Sequence, residues 1–142
     1  MAKNKINQSQ AGATTLGYAQ VTTGQNTTST SYVQATGLTS TVTIPSGGRN
    51  VKITYFSRNL YNGGGNSVYI SIWDGTVGSG TQLAETSQAT ASGTTSSGVC
   101  IAVVTPSAGS KTYNIGLKSG SSTTAGFDAA ATYPAFMLVE LI

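Results

Sequence analysis

From Leu16 onward, short runs of alternating apolar and polar residues are broken about every ten residues by clusters of Gly, Ser, Asn and Pro. A period of two is what an extended strand with one buried face requires. A helix would place apolar residues three and four apart. Leu38, Val42 and Ile44 alternate with Thr39, Thr41 and Thr43. Val51, Ile53 and Tyr55 alternate with Lys52, Thr54 and Phe56, and Val68, Ile70 and Ile72 with Tyr69, Ser71 and Trp73. About eight to ten such strands and no helical stretch predict an all-β fold, an antiparallel two-sheet sandwich of jelly-roll type. An immunoglobulin-like sandwich fits less well, since it has fewer strands and usually a core Trp packed on a disulfide.

The predicted strands cover residues 16–23, 32–35, 37–44, 50–60, 68–74, 82–89, 98–105, 111–119, 126–133 and 135–142, and residues 61–66 (YNGGGN) are read as a hairpin loop. In 98–105, Val99, Ile101 and Val103 fall on one face and Cys100, Ala102 and Val104 on the other, which predicts a central strand. The last run, AFMLVELI, has seven apolar residues in eight, too few for a membrane span. It reads as a central strand buried on nearly both faces. Phe136, Leu138, Val139 and Leu141 are therefore candidates for the core or for a contact between copies of the chain. Residues 1–15 are polar and aperiodic, an arm or linker ahead of a single domain at 16–142. Lys3, Lys5 and Ile6 are its candidate anchoring residues.

Seven basic and four acidic residues give a net charge of +3, spread along the chain with no basic run beyond Lys3 and Lys5. That pattern excludes the clustered charge of a nucleic-acid surface. The lone Cys100 has no intrachain disulfide partner and reads as a small core hydrophobe. No signal-peptide core or membrane-length stretch is apparent, so synthesis in a cytoplasm without membrane insertion is expected.

The absence of histidine removes the commonest general base and the commonest metal ligand. The carboxylates Asp74, Glu85, Asp128 and Glu140 are dispersed, and Ser and Thr lack a base to activate them. GTVGSG at 75–80 departs from the dinucleotide fingerprint, and the three glycines of 61–66 precede no P-loop lysine. Catalytic, cofactor-binding and metal-binding residues are accordingly not expected, and the chain reads as a non-enzyme. Tyr61, Tyr69 and Trp73, together with Tyr133, are candidates for a ligand platform or for packing.

The runs LGYAQVTT, GLTSTVTIP, NVKITYFSRN, TPSAGSKTYNIGLK and YPAFMLVELI resemble a bacteriophage virion jelly-roll domain of head-fibre, capsid-decoration or tail-fibre-tip type. That group is in turn similar to the trimeric jelly rolls of the tumour-necrosis-factor and C1q kind. The resemblance spans residues 16–142. It implies a homotrimer exposed on a virion, made in the host bacterial cytoplasm, with the arm attached to the major capsid protein or another virion protein. The alternative it implies is a receptor- or glycan-binding tip of a tail fibre, touching host-surface glycan. It carries over no functional-site residues.

Overall fold

The structure, a computed structural model, describes residues 13–89 and 91–142. The expected anchoring residues Lys3, Lys5 and Ile6 lie outside that range. The described residues form ten strands: β1 (Thr14–Val21), β2 (Gln25–Thr27), β3 (Val33–Ile44), β4 (Val51–Asn62), β5 (Ser67–Asp74), β6 (Thr81–Ala89), β7 (Thr95–Val104), β8 (Gly109–Ser119), β9 (Ala125–Asp128) and β10 (Ala135–Leu141). One sheet has the order β1-β10-β4-β9-β2 with β7 added to β4, and the other the order β3-β8-β5-β6. All pairings are antiparallel. The chain is an all-β, jelly-roll-like sandwich.

The first sheet is simpler than its strand count. β10 pairs residues 51–56 of β4, and β9 pairs residues 59–62. Because β9 and β10 run in the same direction along β4, they form one long strand interrupted by the excursion 129–134. β1 and β2 pair β10 and β9 respectively, and are interrupted in the same way. The predicted strand at 126–133 is thus half right. It stops at Asp128, and the rest turns out through an isolated bridge between Ala130 and Tyr133. Arg58, at an irregularity of β4 where the β7 register slips, lies 5.0 Å over the Tyr133 ring and covers this excursion.

Alternation places the core as expected. Leu38, Val42, Ile44, Val51, Ile53, Tyr55, Val68, Ile70, Ile72, Ile115, Leu117, Met137 and Val139 pack between the sheets. The predicted strands at 32–35 and 37–44 fuse into β3. They join at an irregularity containing Gly37, whose φ of 82° is left-handed backbone that a residue with a Cβ rarely adopts.

Three further expectations are corrected. Residues 61–66 do not form a hairpin, because β4 and β5 belong to different sheets and the loop crosses between them. Among the described residues β7 pairs with β4 alone and is an edge strand, so its second apolar face does not mean burial: Val99, Ile101 and Val103 are 46%, 53% and 54% exposed. β10 is central, between β1 and β4, but only one of its faces is in the core.

Candidate functional site

Side chains directly opposed across paired strands share a face. The registers of β1, β10, β4 and β7 therefore define the outer surface of the first sheet as three rows. They are Gln20–Phe136–Phe56–Val99, Tyr18–Leu138–Thr54–Ile101 and Glu140–Lys52–Val103. Phe136 stacks on Tyr18 at 5.9 Å between centroids and meets Phe56 at 5.6 Å, an aromatic ladder across three strands. Tyr18 is 52% exposed, and Phe56, Phe136 and Leu138 are half-buried. Lys52 and Glu140 close the lower end with an ion pair at 2.6 Å. Scattered exposed apolar residues are ordinary, whereas a continuous sheet face of them marks a contact surface. Of the four C-terminal candidates, Phe136 and Leu138 lie on this face, while Val139 and Leu141 are buried in the core.

The aromatic platform expected from Tyr61, Tyr69 and Trp73 does not exist as one surface. Tyr69 and Trp73 face outward from the second sheet, but the chain covers them itself. The Trp73 indole is only 7% exposed, donates to Ser71 Oγ at 2.5 Å and meets Tyr32 edge-on at 5.6 Å. It lies against Gly116, where an added Cβ would fall 2.8 Å from both Ser71 Oγ and the indole nitrogen. Tyr32, in the connection between β2 and β3, donates to Glu85. Lys118 sits between the rings of Tyr32 and Tyr69, at 4.4 and 4.6 Å, and pairs with Glu85 at 3.7 Å. An aromatic pair filled by the protein's own cation is a clasp. Burial, and then Glu85, push the Tyr32 hydroxyl above the ordinary tyrosine range. The Tyr32 hydrogen bond holds the Glu85 carboxyl below its usual value against some desolvation, with help from Gln82 and Lys118.

Tyr61 lies elsewhere, at the far end of β4. With Asn62, Gly63, Gly93, Thr94, Thr95 and Asp128 it lines a cleft of about 290 Å³. Asn62 is buried and holds the cleft's floor. Its Nδ2 donates to the Ser67 carbonyl (3.1 Å) and to Ser119 Oγ (3.3 Å), and its Oδ1 accepts from Gly64 N (2.9 Å) and Thr123 Oγ1 (2.7 Å). Ser92 Oγ donates to the Gly63 carbonyl at 2.9 Å, tying the two rim loops together.

Among the described residues, no group of three or more His, Cys, Asp or Glu side chains is placed to hold a metal ion. No protein-family model and no curated protein matches the chain. Sequence reasoning missed Tyr18, Phe56, Val99, Ile101 and Val103 as surface residues, and it missed Tyr32 and Asp128. The alternation of Val99, Ile101 and Val103 was visible, but whether their face is covered depends on the sheet order.

Proposed function

We infer that this chain is a non-enzymatic structural subunit that assembles with copies of itself, a homotrimeric capsid-decoration or head-fibre component of a bacteriophage virion. The observation that carries the assembly is the apolar outer face of the first sheet. The apolar side chains run from Tyr18 on β1 to Val99, Ile101 and Val103 on the β7 edge, so both the face and its edge offer contact surface. Edge-on-face packing is heterologous, and such contacts close into rings when the rotation permits, as in a trimer. The virion setting follows from the resemblance of residues 16–142 to phage jelly-roll domains. In this reading Lys3, Lys5 and Ile6 belong to the arm that attaches the trimer to a capsid or other virion protein.

The test is the solution mass by light scattering, on the wild-type chain and on Ile101→Lys. The wild type is expected at three chains. The variant is expected to remain folded, because Ile101 lies on the outer face and is 53% exposed, and to fall to one chain because a lysine enters the contact. A monomeric wild type refutes the assembly, and an intact trimer in the variant refutes this face as its surface.

A further inference from the structure

The cleft at the far end of β4 is independent of that assembly surface. Tyr61 lies five residues beyond Phe56 along the same strand, about 17 Å at strand rise. The lining brings together one aromatic ring, one carboxylate, two threonine hydroxyls and glycine peptide groups. The registers put them there: Tyr61 opposes Gly126 on β9 and Thr95 on β7, and Asn59 opposes Asp128. Asp128 therefore stands diagonally across from Tyr61, within reach of one bound molecule. Its carboxylate is half-buried and has no hydrogen-bond or ion-pair partner among the described residues. The clasped Glu85 and the paired Asp74 and Glu140, in contrast, all have partners.

We propose that this cleft is a saccharide site taking one pyranose ring of a neutral glycan. A pyranose has a flat C–H face that packs on an aromatic ring, and a rim of hydroxyls that each donate and accept. Tyr61 supplies the ring, and Asp128 supplies two acceptor oxygens for vicinal hydroxyls. Thr95 offers a hydroxyl. Thr94 already donates its own to the Ala91 carbonyl at 2.7 Å and keeps an acceptor free. The lining holds no cation, and Asp128 repels an anionic ligand. The mix of donors and acceptors suits a polyol better than a lone ammonium or guanidinium, which needs acceptors only. The volume is at the small end for ligand sites and matches one ring, with the rest of a glycan leaving through the open mouth. Asn62 and the Ser92–Gly63 bond hold the rim in place before binding, so little ordering is required of the protein.

The test is NMR on the full chain, with ligand signals reporting binding and protein amide spectra mapping it, using the methyl glycosides of glucose, galactose, mannose, rhamnose and N-acetylglucosamine. Free arginine and tetramethylammonium serve as cationic probes. At millimolar concentration at least one glycoside is expected to bind and to shift the amides of residues 61–63 and 93–95. Tyr61→Phe is expected to retain binding. Tyr61→Ala is expected to abolish it, and Asp128→Asn to weaken it by about tenfold, as the loss of a charge-assisted hydrogen bond implies. Amide spectra of the variants report whether they are folded, and mapping on the wild type keeps the test valid if Tyr61→Ala is not. Three results each overturn the proposal: no glycoside binding, binding whose shifts map elsewhere, or preferential binding of a cationic probe.

Discussion

Replacing Tyr32 by Phe isolates the hydrogen bond that clasps the β2–β3 connection onto the second sheet. Phenylalanine keeps the ring against Trp73 and Lys118 and removes only the hydroxyl that donates to Glu85. A hydrogen bond to an ionised acceptor contributes about 1.5–3 kcal/mol when enclosed. The Glu85 side chain is 37% exposed, and solvent screening leaves about 1 kcal/mol. For a chain of 142 residues that corresponds to a melting temperature lower by about 3–4 °C at pH 7. The pH dependence has a fixed sign. The Glu85 carboxyl is depressed in the folded state, chiefly by the Tyr32 hydroxyl, so its contribution is complete above the ordinary carboxylate value of about 4.3. It is lost as the pH falls through the folded value. Tyr32, held above the usual tyrosine range by burial, stays a donor throughout. Calorimetry of both proteins at steps from pH 7 to pH 2.5 is expected to show a gap that is constant to about pH 4.5 and then narrows. A gap of the same size at pH 2.5, or none at pH 7, refutes the clasp.

Two other predictions address the core. Phe127→Ala removes a fully buried ring that meets Tyr55 edge-on at 6.0 Å. It is expected to cost about 3–5 kcal/mol in a denaturant titration, and a loss under about 1 kcal/mol means the site collapses without a cavity. Cys100 is 3% exposed and burial pushes its thiol up to about 11. It is expected to ignore a colorimetric disulfide reagent at pH 8 until the protein is denatured, when one thiol per chain reacts; prompt reaction of the native protein contradicts the buried placement.

Much of the fold was legible because strand alternation is local. Leu38, Val42 and Ile44 need only their own spacing to be assigned to one face, and they are in the core. The misreadings share one cause: pairing partners are distant in sequence. Nothing within 126–133 shows that β4 is shared by β9 and β10, so the break at Asp128 was invisible. Alternation with Ile70 and Ile72 points Trp73 away from the core, yet it is covered by Tyr32, 41 positions away in the chain. Asp128 looked like one dispersed carboxylate among four until β9 brought it beside Tyr61.

The sequence by itself determined the class of this protein: period-two patterning compels strands, apolar inner faces compel two sheets, and the lack of histidine and of any cofactor motif offers no obvious chemistry. Tertiary structure alone decided which apolar faces are core and which are surface. Both faces of β7 and of β10 are apolar, and burial is a property of neighbours. The strand order left β7 at an edge and turned Phe136 and Leu138 outward while enclosing Val139 and Leu141.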